Sequence, residues 1–168
     1  MSIDELLNKY RSTYPPQPYV RPSTGSDWPD VELVQVTAEQ GLVQLNETAP
    51  ANPQPGQPRR NHGDNGENCH IWVVDVSGIP CILETAGGRS DDERLRHTNL
   101  TGGEAASIGG ELWFQDRKTV YLSGASRRYP PRSEEQLNRA VELFQQVGFE
   151  VTSLGWDNDL QQPLRVLV

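Results

Sequence analysis

The stretch that decides the fold is CHIWVVDVSGIPCILE, residues 69–84. Two runs rich in β-branched residues flank the pair Ser77-Gly78, and this arrangement predicts a β-hairpin with a two-residue turn. With the turn centred on that pair, Trp72 lies opposite Leu83. The sequence therefore predicts two antiparallel strands at this point of the chain.

Both cysteines are predicted to be free thiols. Cys69 and Cys81 fall on opposite faces of the hairpin, about 15 Å apart at a rise of about 3.3 Å per residue, whereas a disulfide needs Cα atoms within about 7 Å. The three histidines (His62, His70 and His97) and the two cysteines show neither CxxC nor HxxxH spacing. The sequence therefore predicts neither a metal site nor a cofactor.

Four more strands are predicted downstream. Residues 111–114 and 119–122 flank a polar turn at 116–118, which is typical of a second hairpin. Residues 149–154 and 164–168 are predicted as two further strands joined by a turn.

Two helices are predicted from the signals at their N-termini. Ser2 and Glu5 have the spacing of a capping box and begin a short helix. Ser133 and Gln136 repeat that spacing at the start of a longer helix. Its apolar positions recur at helical spacing until Gly148 ends it.

The N-terminal part of the chain is rich in proline, since nine of the 13 prolines precede residue 59. Strands are predicted at 31–36 and 41–45, and a loop dominated by Pro, Gly, Asn and Gln is predicted at 49–68.

We predict one α+β domain over residues 1–168, because a chain of this length can bury a core of its own. Its sheet is mainly antiparallel, with one long helix packed on a face. The prediction divides the chain into an irregular, proline-rich N-terminal part at 1–68 and a compact α+β core at 69–168.

The charge and the apolar pattern of the chain argue against nucleic-acid and membrane partners. There are 15 Lys+Arg against 23 Asp+Glu, a net charge of −8, which argues against nucleic acid as the partner. No apolar run approaches the roughly 18 residues of a membrane span, and the first residues lack a basic region followed by an apolar one. We therefore predict a cytoplasmic protein with no nucleic-acid and no membrane partner.

Two segments carry the residues that suit a ligand, 97–111 and 123–132. The first contains two glycine pairs, which allow close approach of a ligand or another segment. The second combines hydroxyls, two arginines and a phenol just before a helix N-terminus, a combination that favours an anion. The predicted ligand-binding residues are Thr98, Asn99, Gly102, Gly103, Ser123, Ser126, Arg127 and Arg128. The alternative is that both segments are ordinary turns with solvated arginines.

His97 is the candidate for acid–base chemistry. It stands among polar residues at the start of a glycine-rich turn, and an unperturbed pKa near 6.5 suits proton transfer. Glu104 or Glu111 could orient the ring, while Tyr129 and Arg128 could stabilise developing negative charge. His97, Glu111 and Tyr129 are therefore the predicted catalytic residues. The alternative is that His97 bonds to backbone at a strand end and has no chemical role.

The order of these residues resembles a signature of small uncharacterised bacterial proteins. Its elements are His-[Ser/Thr]-x-[Leu/Phe], a Gly-Gly pair, a Gly-Glu strand start, and Ser-Gly followed by Tyr-x-Pro before a helix. They are carried here by His97, Thr98, Leu100, Gly102, Gly103, Gly110, Glu111, Ser123, Gly124, Tyr129 and Pro131. The pattern is more distantly similar to segments of polymorphic-toxin-associated domains and of plant IQ-motif proteins, although the IQ motif itself is missing. The resemblance spans residues 70–155 and implies a shared site, with no particular reaction.

Two functions from different classes fit these observations. The first is a small domain with a ligand-binding or catalytic pocket between the two segments, which would take a small anionic ligand or a peptide; enzymatic activity stays open. The second is a non-catalytic interaction protein, antitoxin-like or a biosynthetic accessory factor, that binds a basic partner or peptide, or a second copy of itself. Neither GxSxG nor GxxxxGK[ST] occurs, so no motif supports a hydrolase or an NTPase.

Overall fold

A six-stranded sheet lies at the centre of the computed structural model, which describes residues 1–20, 33–47, 49–87 and 94–167. The strands are β1 Val43–Gln44, β2 His70–Val74, β3 Pro80–Leu83, β4 Ile108–Phe114, β5 Thr119–Ser123 and β6 Glu150–Ser153. They lie in the order β1-β3-β2-β4-β5-β6, and each neighbouring pair is antiparallel except β5–β6. A short ribbon of β7 Trp156–Asp157 and β8 Gln162–Pro163 follows. The prediction of mixed helix and strand with a mostly antiparallel sheet is confirmed.

The described helices are α1 Ile3–Thr13, α2 His97–Thr101 and α3 Glu134–Val147. The capping box of Ser2 and Glu5 is complete at the start of α1. Ser133 caps α3 by accepting from Gln136 N at 3.1 Å, and Gly148 ends the helix with a φ of 119°. The helix predicted before Gly148 is therefore confirmed. None of the helices in the described residues has the length and apolar run that a membrane crossing needs.

α1 and α3 cover one face of the sheet, the helix face, to which Trp72, Leu112 and Phe114 contribute. Because side chains alternate along a strand, every second residue of the central strands enters this core. The ring of Phe144 from α3 meets Trp72 edge-on at 4.9 Å between centroids. The helix face is the main apolar core of the described residues.

The other face, the loop face, carries Ile71 and Val73 of β2 and Glu111 and Trp113 of β4. Ile71 and Val73 pack there against α2 and the segment around Tyr129. The proline-rich loop joins this layer through backbone bonds: Gly56 N donates to Phe114 O at 2.8 Å, and Leu167 N donates to Arg59 O at 2.6 Å. The loop face is thus covered by short segments from both ends of the chain.

The first hairpin is confirmed, but its predicted turn is wrong by one residue. Trp72 lies opposite Cys81 because the chain turns at Val76-Ser77, between Asp75 and Gly78. The Asp75 carboxylate accepts from Ser77 N at 2.8 Å. Asp at the first and Gly at the fourth position are typical of a type I turn, which explains the shift. Both cysteines are free, as predicted.

Several predicted strands are shorter or absent. Residues 33–36 run beside α2 without forming a strand, and Val31 and Glu32 lie outside the described residues. In the 41–45 segment only β1 forms. β6 lies within the strand predicted at 149–154. The strand predicted at 164–168 is wrong over residues 164–167, where none forms, and Val168 lies outside the described residues. β8 pairs with β7 instead. The segment at 33–36 is held by a side chain of α2, because Asn99 Nδ2 donates to Val34 O at 2.9 Å.

Candidate functional site

The two predicted segments, 97–111 and 123–132, lie in contact on the loop face. Gly109 N donates to the carbonyl of Tyr129 at 2.8 Å. A Cβ added to Gly109 would lie 2.9 Å from His97 Cδ2 and 3.0 Å from Ser126 Oγ. The side chains of both segments therefore fill the space over Gly109, with no room even for a methyl group.

The predicted loop at 97–111 contains regular structure. Its first residues form α2, which Gly102 ends in a left-handed conformation with a φ of 65°. Gly109 and Gly110 belong to β4 and are not a turn. Gly110 is required there because a Cβ would collide with Ser123 O and would lie 2.6 Å from Trp72 Cζ2.

His97 is buried, with 8% of its surface exposed, and its Nε2 lies 2.8 Å from the carbonyl oxygen of Gly110. Burial lowers the pKa of His97 below its ordinary value, a shift that the Gly110 bond and the nearby Glu111 carboxylate partly oppose. Since burial disfavours the imidazolium, the ring is neutral at neutral pH. The geometry is that of the alternative interpretation, a histidine bonded to backbone beside a strand.

Tyr129 is also buried and fully bonded. Its hydroxyl donates to Glu104 O at 2.6 Å and lies 2.7 Å from Thr101 Oγ1. Burial raises the pKa of Tyr129 to about 12, so the phenol stays protonated at neutral pH. Tyr129 thus connects the two segments through its own side chain and leaves no hydroxyl hydrogen for a ligand.

Glu111 pairs with residues that the sequence did not indicate. Its carboxylate lies 2.8 and 2.9 Å from Arg59 Nη1 and accepts from Cys69 Sγ at 2.9 Å. Glu84, the residue directly after β3, pairs with Arg94 at 3.1 Å. We call these five residues the ionic cluster; all lie on the loop face.

Burial dominates the electrostatics of the ionic cluster. It raises the pKa of the Cys69 thiol well above its ordinary value, and the Glu111 and Glu84 carboxylates add to that shift. The pKa of Glu84 is raised, mainly by burial and next by the negative charge of Glu111. The positive charge of Arg94 partly opposes this shift. The thiol is therefore neutral and a poor nucleophile.

Within the described residues, the ionic cluster contains the group of side chains close enough together to hold a cation. Single ligand atoms of Cys69, Glu84 and Glu111 all lie within 4.8 Å of one another. The guanidinium groups of Arg59 and Arg94 already offset both carboxylates, however. The cluster is balanced in charge by its own side chains.

The predicted ligand-binding residues divide into buried and accessible ones. Thr98, Asn99 and Ser123 are buried. Asn99 accepts from Arg96 N at 2.8 Å, so its amide is used to begin α2. Gly102 and Gly103 form the turn after α2, against Leu33.

The accessible group comes from the second segment. Arg127 is exposed and Arg128 is half-buried. Ser126 Oγ accepts from Tyr129 N at 3.0 Å, a bond that shapes the loop. Their predicted roles in ligand binding stay predictions.

An open groove of about 260 Å³ lies elsewhere, between α1 and α3. Its apolar and aromatic lining includes Leu6, Tyr10, Tyr14 and Leu143. The two tyrosine rings lie 5.2 Å apart. The charged side chains at its wall are Lys9, Glu135, Arg139 and Glu142. The apolar stripe of α1 was a usable sequence signal, since a short amphipathic helix needs a surface to pack on.

Comparison with known proteins adds no relative to this geometry: no protein-family model matches the chain, and neither a curated protein nor a solved structure matches it. The resemblance to small bacterial proteins and its more distant counterparts stays a prediction. Function has to be inferred from the described surfaces.

Proposed function

We propose that the chain is a non-catalytic binding protein that holds a basic polypeptide partner in the groove between α1 and α3. The observation that carries the proposal is the groove itself, an open concavity with apolar and aromatic side chains at its base and charged ones at its wall. The predicted catalytic groups of His97, Glu111 and Tyr129 are instead used in internal hydrogen bonds.

The size and lining of the groove favour a polypeptide over a metabolite. Pockets for small molecules usually measure about 300–1,000 Å³ and enclose most of the ligand, whereas this groove measures about 260 Å³. Its lining contains neither histidine nor cysteine. An aromatic pair such as Tyr10 and Tyr14 gives a rigid contact surface for an apolar side chain of a partner.

The charge around the groove favours a basic partner. The exposed acidic side chains of α1 and α3 are Asp4, Glu5, Glu134, Glu135 and Glu142, against the exposed cations Lys9 and Arg139. Arg139 is already paired with Glu142 at 3.0 Å. With a net charge of −8, the whole chain attracts cationic partners over a longer range.

The proposal is tested by selecting binders from a library of random peptides against the immobilised chain. We expect peptides that combine Lys or Arg with an aromatic residue, with a Kd at least about tenfold weaker for Tyr14→Ala because the aromatic contact is lost. Tyr121→Ala is the matched control, since Tyr121 is equally half-buried but lies on the loop face. Peptides that bind the Tyr14→Ala variant undiminished, or a selection that enriches acidic peptides, would contradict the proposal.

A small-ligand site between the two segments is the second candidate. It is favoured by two buried hydroxyls, those of Thr98 and Ser107, which have no hydrogen-bond partner within the described part of the chain. Buried polar groups without partners are uncommon and call for an explanation. A thermal-shift screen of nucleotides and sugar phosphates decides: stabilisation of the parent that disappears in both His97→Gln and Arg127→Ala would establish this candidate over the groove.

A further inference from the structure

We propose that the free edge of β6 pairs with β6 of a second copy of this chain, so that two sheets join into one around a two-fold axis at Thr152. This surface is separate from the groove, and the inference does not depend on the proposed function. It concerns the sheet edge at Glu150–Ser153.

Within the described residues, nothing pairs with the backbone of β6 on its outer side. Glu150 N donates to Lys118 O at 2.7 Å and Leu154 N donates to Leu122 O at 2.9 Å, so the even-numbered residues bond to β5. In a parallel ladder the residues between them turn their N–H and C=O groups away from that partner. Val151 and Ser153 therefore present two donors and two acceptors at the edge of the sheet.

The composition of β6 leaves this edge available. Natural edge strands are protected by being very short, by charged side chains (especially lysine), by proline, by bulges or by a covering segment. β6 has four residues, no proline and no lysine, and its one charged side chain is Glu150 at its start. Its exposure alternates, with Glu150 and Thr152 exposed and Val151 and Ser153 half-buried. At the opposite end of the sheet, β1 has only two residues and offers a much shorter edge.

An antiparallel copy fits the hydrogen-bonding pattern of this edge. With Thr152 on the axis, Val151 of each copy lies opposite Ser153 of the other, and these pairs exchange both of their backbone bonds. Thr152 meets its own counterpart, a cross-strand pair that favours sheet formation. Glu150 lies opposite Leu154, so the two Glu150 carboxylates do not face each other.

The test is sedimentation velocity of the full chain over a wide concentration range in about 150 mM salt, which screens the net charge of −8 over about 8 Å. We expect reversible dimers with a weak Kd, because only four backbone hydrogen bonds form between the copies. A protein that stays monomeric at several hundred micromolar would overturn the proposal.

A pair of variants locates the interface. Ser153→Pro removes an outward N–H without touching the β5 ladder and should weaken dimerisation at least about tenfold, whereas Ser153→Ala keeps the donor and should leave it unchanged. A dimer that ignores Ser153→Pro would overturn the β6 interface.

Amide hydrogen exchange gives a readout that does not depend on a variant folding. The Val151 and Ser153 amides should exchange fast in dilute protein and at least about tenfold more slowly in concentrated protein. The Thr152 amide, which bonds to β5, should be protected in both. Equal exchange of Val151 and Ser153 at both concentrations would count against the pairing.

Discussion

The two faces of β4 are stabilised in different ways. On the helix face Ile108, Leu112 and Phe114 add only apolar groups to a core that α1 and α3 cover. On the loop face Glu111 is 3% exposed and carries an ion pair with Arg59. A buried ion pair rarely adds stability over an apolar pair of the same volume. We therefore infer that the helix face supplies most of the stability, while the loop face determines which segments pack where.

The largest effect is expected from Phe144→Ala on the helix face. Phe144 is fully buried against Trp72, so its loss leaves a cavity and should lower the free energy of unfolding by about 3–5 kcal/mol. The measurement is urea unfolding followed by circular dichroism. Gln145→Ala, an exposed neighbour in the same helix, is the control and should change stability by less than about 0.5 kcal/mol. A loss below about 1 kcal/mol for Phe144→Ala would remove the distinction between the faces.

The next effect tests the ionic cluster on the loop face. Glu111→Leu leaves Arg59, 15% exposed in its side chain, without its counter-ion, and should cost about 2–3 kcal/mol. The double variant Arg59→Met/Glu111→Leu replaces both charges and should recover to within about 1 kcal/mol of the parent. The exposed pair Arg139 and Glu142 is the control, because its removal should be almost neutral. A double variant as unstable as the single one would show that the pair itself contributes stability.

The same contrast explains what the sequence could predict. α3 is encoded locally: Ser133 starts it, apolar residues repeat at helical spacing, and Gly148 ends it. The helix face follows from such patterns. The pairing of Arg59 with Glu111 joins residues 52 positions apart, and no local pattern specifies it. The ionic cluster therefore could not be read from the sequence.

The close approach that the glycine pairs predict occurs at Gly109-Gly110, which lies in β4 rather than in a turn. Trp72 and His97 pack directly on this pair. The segments at 97–111 and 123–132 lie in contact, and the pocket predicted between them stays a prediction. Whether side chains or a cavity would fill the region between the two segments could not be predicted, because this depends on how the side chains of both segments pack.

The pH dependence of folding stability distinguishes a histidine on the helix face from the titratable residues on the loop face. On the helix-face side, His70 packs edge-on against Phe114 at 5.0 Å, and burial lowers the pKa of His70 to about 4. Between about pH 6.5 and 4 the unfolded chain binds a proton here that the folded chain does not, so stability falls as the pH drops through this window. At about 1.4 kcal/mol per pKa unit, we expect a loss of about 3 kcal/mol.

The control for this titration is His70→Gln, measured by urea unfolding at each pH. This variant should flatten the plot of unfolding free energy against pH in that window. The contribution of His97 should remain, because burial also lowers the pKa of His97. Glu84 acts in the opposite direction, because its raised pKa in the folded state favours folding at low pH. An unchanged slope in His70→Gln would assign the pH dependence to the loop face.

The smallest effect is on thiol reactivity and compares one cysteine from each face. Cys81 lies in the helix-face core and Cys69 belongs to the ionic cluster on the loop face. Burial raises the pKa of both thiols. Neither should react with Ellman's reagent in the native protein at pH 8. In urea below the unfolding midpoint Cys69 should react first, several-fold faster, because opening the loop cover is a local event whereas Cys81 needs global unfolding. Cys69→Ser and Cys81→Ser assign each rate; equal rates would mean that both faces open together and that the loop cover is as stable as the helix core.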